Sequence, residues 1–469
     1  MSAPATELFG HPVRLGEHVV LRPLLHLLDD DAATHFSQEK DQKPEDLRRA
    51  SDGFICMTGN VGNKAVGLVL CDGKVDAGTL GERALSTLLA FVALMSLRRT
   101  PLVFLLDTAG ARVHEGVAGV ANFEVIAALH RFARMQLLIT CAYGRTLAIG
   151  ALIHALGHYR LGIQDKALSL AGTDLIRQFF GANDGAARAS VVEDHVACQS
   201  ALVHRQFPDR FALFAHLRQL LSHVAAPGLA LRELDLLSPQ RLPMQEQGCA
   251  SPKSRAFMAD LLGRVGDSWL ELFGSMTSVV RVCLCRRNGI LIGLLVNSPH
   301  NAYNMMTAHS VDKYLEALRL FAVLGVPVIS CVDTPGSDPR EDQNRHNIIG
   351  RLASLAGAIL DYPHPKMGII IGRSFGGASL LTFPRFFGGR RLVVFDGARL
   401  GIFDQKIATR FFSASAPEVQ AALQAQQAPE ARLARLVRDG LVDAVIAPDA
   451  LGAEIDLFLR APEPAGSAA

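Results

Sequence analysis

The 469-residue sequence predicts an α/β chain built from two copies of one unit. Three observations predict it. Short apolar runs end in Gly-containing turns, longer apolar runs at helical spacing alternate with them, and the same turn motifs recur about 226 residues apart.

Residues 1–45 are polar and mixed, with Asp29–Asp31 among them, and are expected as an arm. From Phe54 the pattern becomes regular. Strands are expected at 65–70, 102–106 and 137–141, with helices at 84–97, at 117–132 and from Leu152 onward. Residues 226–255, rich in Pro, Ser and Gln, read as a linker between domains at 46–225 and 256–455. In the second half, 326–332 and 367–371 are too short for helices and read as buried parallel strands, with a helix over 347–360 between them. The run after Gly377 should open another helix, and 456–469 should be a flexible tail.

Four anchors tie the halves together. Asp107-Thr-Ala-Gly pairs with Asp333-Thr-Pro-Gly, Gly67 with Gly293 and Pro101 with Pro327, all 226 apart, and Gly144-Arg-Thr with Gly372-Arg-Ser, 228 apart. Such a repeat at near-constant offset marks a duplicated unit.

Composition narrows the function. A net charge of +2 gives no strong field for nucleic acid, the 84–97 helix is too short to cross a bilayer, and 1–14 lacks the apolar core of a secretion signal. A cytoplasmic protein is the expectation. The eight cysteines include no C-x-x-C, and His154 and His158 have no Glu between them, so no metal site is expected. Cys283 and Cys285 share one strand face and read as small buried residues.

Chemistry is expected at the turns that end strands. In Gly372-Arg-Ser-Phe-Gly-Gly-Ala378, Gly376 and Gly377 let a ligand reach main-chain N–H groups. At a helix start those groups are unpaired and lie at the positive end of the dipole, so the turn can hold an anion or a developing oxyanion. It can equally be a tight strand-to-helix connection. Pairing the two copies would set a turn of each half across a cleft. Side-chain catalysts are less evident: no phosphate-binding Gly-Lys-Ser/Thr loop occurs, no His and Asp can be assigned to Ser374, and no hydrolase elbow is supported. Asp107 and Asp333 suit turn caps better than bases, and Arg112 and Glu115 can pair with each other.

The stretch from Thr58 to Val117, together with 266–299, VPVISCVDTPG and GRSFGGAS, resembles the carboxyltransferase subunits of acyl-CoA carboxylases, a superfamily that includes malonate decarboxylase relatives. The resemblance covers about residues 51–415, with AGARVHEG and FGGA its most specific parts. It implies two tandem crotonase-like (ClpP/crotonase) ββα-spiral domains related by internal duplication. It further implies carboxyl transfer between a biotin on a partner carrier and an acyl-CoA, through an enolate held by backbone oxyanion holes. Carried over by motif, the catalytic amides are those of Ala109, Gly110 and Ala111 in the first half and Gly376, Gly377 and Ala378 in the second. Substrate contacts are expected at Arg112, Gly144, Arg145, Gly336, Arg373 and Phe375, with no metal.

Biotin would arrive on a carrier or biotin carboxylase partner, since Lys366-Met367 lacks a biotinylation context. A homo-oligomer is implied, as is acyl-CoA or an acyl carrier protein as substrate. Within the resemblance, Ala148 and Ile149 stand where the family carries a glycine pair, and Asp333-Thr-Pro-Gly followed by Arg340-Glu341 resembles a malonate decarboxylase subunit. Decarboxylation of a malonyl thioester is therefore an alternative, and a catalytically degenerate binding scaffold is another.

Overall fold

The computed structural model describes residues 8–38, 51–115, 123–172, 194–224, 260–277, 279–297, 304–401 and 429–460, with a few isolated positions besides. The chain divides into two units, Met1–Ala230 and Leu231–Ala469. The expected linker over 226–255, the start of the 117–132 helix and the end of the tail, 461–469, lie outside the described residues.

In the first unit, β1 (Phe9–Arg14), β2 (Ala32–Ser37), β3 (Phe54–Val61) and β4 (Lys64–Cys71) run antiparallel. From β4 the sheet continues parallel through β5 (Leu102–Thr108), β6 (Leu138–Leu147), β7 (Tyr159–Ile163) and β9 (Arg205–Phe207), with β8 (Leu168–Ser169) beside β6. Two pieces of the segment expected as an arm, β1 and β2, are thus part of the sheet. Its apolar residues are too scattered to show a strand period, yet Leu15, Leu21, Leu24 and Leu27 are all buried.

The second unit repeats this order. β10 (Ser268–Leu272), β11 (Val280–Arg287) and β12 (Ile290–Asn297) are antiparallel. Parallel strands β13 (Val328–Thr334), β14 (Lys366–Phe375), β15 (Arg391–Phe395) and β17 (Ala444–Ile446) follow, and β16 (Arg399–Gly401) lies beside β14. Residues 456–460 belong to the helix Leu451–Arg460 rather than to a tail.

The helices α1 (Glu82–Arg98), α2 (Phe123–Ala133) and α3 (Ile149–Leu156) occupy the first unit, and α4 (Ala308–Leu324) and α5 (Ile348–Leu360) the second. α4 begins at a capping box, Thr307 with Ser310, and ends at Gly325 in the left-handed region. Its buried face includes Val311, Tyr314, Leu318 and Phe321, and burial of each contributes roughly 1.5–3 kcal/mol. The repeated strand glycines let these helices approach. A Cβ on Gly67 would meet Met95 Sδ at 2.8 Å, and one on Gly293 would meet the Phe321 ring at 2.4 Å.

Lys366 is buried and donates to the carbonyls of Ile359 and Tyr362 at the end of α5, which is a structural role. Among the described residues, no helix is long and apolar enough to cross a membrane, and no cluster of side chains could hold a metal ion.

Candidate active site

Each unit builds the same corner where its second and third parallel strands end. In the first, β5 and β6 are in register to Leu106–Ala142 and resume at Thr108–Thr146, so β6 bulges over Tyr143, Gly144 and Arg145. The bulge closes on Asp107, whose Oδ1 accepts the Arg145 amide at 3.0 Å. In the second, Val332–Ile370 is followed by Thr334–Ser374, and Asp333 Oδ1 accepts the Arg373 amide at 2.9 Å.

A Cβ on Gly144 would stand 2.3 Å from Asp107 Cγ, and one on Gly372 would stand 2.7 Å from Asp333 Cγ. The two Asp residues are thus turn caps. Burial raises the Asp107 pKa, against the lowering effect of the Arg145 amide and side chain. The Arg373 side chain adds an ion pair to Asp333 at 2.9 Å, whereas Arg145 reaches the Ala77 carbonyl at 3.4 Å.

The segment after each strand is pinned in the same way. Thr108 Oγ1 accepts the Gly110 amide at 3.0 Å, and Thr334 Oγ1 accepts that of Gly336 at 3.3 Å. Leu80 bridges Gly110 and Arg112 as Met306 bridges Gly336 and Asp338. Gly110 and Gly336 hold φ of 113° and 121°, which a side chain would strain.

This pinning bears on the amides expected to form the first oxyanion hole. Ala109 N–H donates to the Ala77 carbonyl at 3.0 Å and Gly110 N–H to Thr108, while the Ala111 amide has no acceptor among the described residues. The offset of 228 that relates Gly144 to Gly372 relates Gly376-Gly-Ala378 to Ala148-Ile-Gly150, not to Ala109–Ala111. That signal was available in the sequence. It places the counterpart corner at the start of α3, where the Ile149 and Gly150 amides have no partner within the helix.

Gly376 and Gly377 likewise open a 3-10 turn, Gly376–Thr382, in place of the α-helix expected there. Ala378 is fully buried, and Phe375, last in β14, is buried beneath the corner. Gly336 faces the Phe375 carbonyl, which a Cβ would meet at 3.1 Å.

The corners differ in what lines them. Ala148 holds φ 50° and ψ −119°, a region that costs a non-glycine residue about 1–3 kcal/mol. Its counterpart is Gly376, at φ 53°. A Cβ on Gly377 would stand 2.8 Å from Ser337 Oγ, a buried hydroxyl with no hydrogen-bond partner among the described residues.

Residues 372–376 do spell Gly-x-Ser-x-Gly. Ser374 is nevertheless only 1% exposed, whereas a nucleophile elbow presents its hydroxyl at the surface. Arg112 is 4% exposed and committed to Asp52 at 2.5 Å, Glu115 at 2.8 Å and the Thr79 carbonyl at 2.9 Å, so the residues themselves give it an internal ion pair. The hydrogen bond from Arg112 holds the Glu115 carboxyl below its ordinary range.

Comparison with known proteins decides the family, because the carboxyl transferase domain family matches residues 15–463. The chain belongs to the carboxyl transferase family. This carboxyl transferase is 23% identical over 398 residues to the biotin-dependent long chain acyl-coenzyme A carboxylase β4 subunit of Mycobacterium tuberculosis, covering 79% of this chain and 73% of that one. With the acetyl-/propionyl-coenzyme A carboxylase β5 subunit of the same organism it shares 24% over 350 residues, 71% of this chain and 63% of the relative. The mitochondrial propionyl-CoA carboxylase β chain of Rattus norvegicus is 22% identical over 450 residues, 93% and 82% of the two chains.

Among solved structures, the transcarboxylase 12S subunit superposes with a TM-score of 0.77 at 19% identity, over 96% of this chain and 92% of that one. The fold of this carboxyl transferase is therefore two crotonase-like α/β domains.

Proposed function

We propose that this chain moves a carboxyl group between a biotin carried on a partner chain and an acyl-CoA thioester of the acetyl or propionyl type. The observation that carries the reading is the repeated corner: two strand ends built alike, each opening a helical turn whose first amides have no partner within it. When the α-proton leaves an acyl thioester, negative charge develops on the thioester oxygen. The amides of Ile149 and Gly150, which have no partner within α3, would receive it together with that of Ala111. The corner of Gly376, Gly377 and Ala378 suits the ureido oxygen of biotin, because its two glycines carry no side chain of their own and offer main-chain donors at the start of the turn. Carboxybiotin, when bound, supplies the carboxyl group and takes up the α-proton. Each amide removed would cost about 3 kcal/mol of transition-state stabilisation.

Gly144, Arg145 and Arg373 support these corners through the Asp caps, and Gly336 and Phe375 floor the second one. The mycobacterial relatives are biotin-dependent and the transcarboxylase 12S subunit was solved as a hexamer assembly, which supports a biotin-bearing partner and a homo-oligomer here.

The test is transfer of labelled carboxyl to acetyl-CoA and propionyl-CoA, with and without a carboxylated biotin carrier. Carrier-dependent labelling is expected. Rapid loss of malonyl-CoA with no biotin present would favour the decarboxylase reading, and no turnover of any thioester would leave a binding scaffold.

A further inference from the structure

Ala148 stands in a backbone conformation that glycine holds freely and alanine does not. The second unit uses glycine at the equivalent place, Gly376, with nearly the same φ. The first unit therefore carries a strain that a glycine would remove, and what it gains is one methyl group. Ala148 keeps part of its surface open to solvent. Its place is defined: it lies 2.8 Å from where a Cβ on Gly110 would be. It thus lies against Gly110, on the residue that directly precedes Ile149 and Gly150. Because Ala148 directly precedes Ile149, a thioester oxygen bound by the Ile149 amide would bring the acyl α-carbon near this methyl.

We infer that Ala148 is a specificity-determining residue, its methyl limiting the size of the substituent on the acyl α-carbon so that acetyl thioesters are preferred to propionyl. The inference rests on the carboxyl-transfer reading above. One methyl in a pocket changes a preference by about 10-fold or more.

The experiment compares wild type and Ala148→Gly with acetyl-CoA and propionyl-CoA in the presence of a carboxylated biotin carrier, and follows thermal unfolding of both proteins. The expected result is a propionyl-to-acetyl ratio of kcat/KM that rises about 10-fold in Ala148→Gly, with an unfolding midpoint above that of wild type. An unchanged ratio in a wild type that turns over acyl thioesters would overturn the inference and leave the carboxyl-transfer reading standing. So would a wild type that already prefers propionyl-CoA, or a variant that unfolds earlier with its ratio unchanged, since the methyl would then be packing. If wild type turns over neither thioester, the carboxyl-transfer reading falls and takes the inference with it.

Discussion

Gly372 is glycine because a carboxylate fills the space where its side chain would be. In Gly372→Ala the new methyl would displace Asp333, lose the bond from the Arg373 amide and loosen the Asp333–Arg373 ion pair. The expected cost is about 3 kcal/mol, read as a lowered denaturant midpoint, and Gly144→Ala should behave alike through Asp107. The same contact explains why these anchors were legible in the sequence: a cap, and the glycine that admits it, must be kept together in both copies. What the residues did not announce was Ser337, whose unbonded hydroxyl becomes notable only beside Gly377.

At the scale of elements, α3 lies so close to β5 that Gly150 has no room for a side chain, its Cβ falling 2.3 Å from Thr108 Cγ2. Gly150→Ala should therefore destabilise by about 1–3 kcal/mol, although alanine is otherwise the better helix residue by roughly 1 kcal/mol. Adding Thr108→Ser removes the clashing methyl and keeps the hydroxyl that accepts the Gly110 amide. The double variant should then match or exceed wild type in thermal unfolding; a double variant as weak as Gly150→Ala would deny the contact.

Strands and helices around these corners were readable because their apolar runs are long and periodic. The 3-10 turn Gly376–Thr382 was not, since Gly-Gly-Ala-Ser-Leu-Leu-Thr carries no signal that separates it from an α-helix. The edge strand β1 and its neighbour β2 lay in a segment expected as an arm because the alternation there is weak: β1 buries one residue, Val13, in six.

Across the whole molecule, acid should weaken the fold through its buried histidines. Burial pulls the His154 pKa down to about 3, and that of His216 well below its ordinary value, with Arg160 and Arg205 adding to the effect at each. Unfolded histidine binds its proton near pH 6.5, so between that pH and about 3 the unfolded chain holds a proton that folded His154 does not. Stability is complete above 6.5 and falls as pH drops, by up to about 1.4 kcal/mol per pH unit for each histidine. Glu115, lowered by Arg112, adds loss in the same direction once pH falls below the ordinary carboxylate range. Unfolding midpoints measured from pH 7 to pH 5 should decline, and the slope should be shallower in His154→Leu; equal slopes would show that His154 is not held neutral by the fold.

The duplicated plan itself was legible from four anchors. The pairing of the first corner with residues 148–150 required comparing the halves by the second offset rather than the first.

The central claim is that main-chain amides at a glycine corner hold the charge, and it is tested most directly at Gly377. In Gly377→Val the side chain would start 2.8 Å from Ser337 Oγ and block the approach to those amides. The decisive measurement is kcat for carboxyl transfer to acyl-CoA from a carboxylated biotin carrier, in a variant shown by circular dichroism to be folded. The account predicts a fall of about 100-fold or more with acyl-CoA binding retained, because the corner at Ile149 and Gly150 is untouched. A kcat within a few-fold of wild type would contradict it.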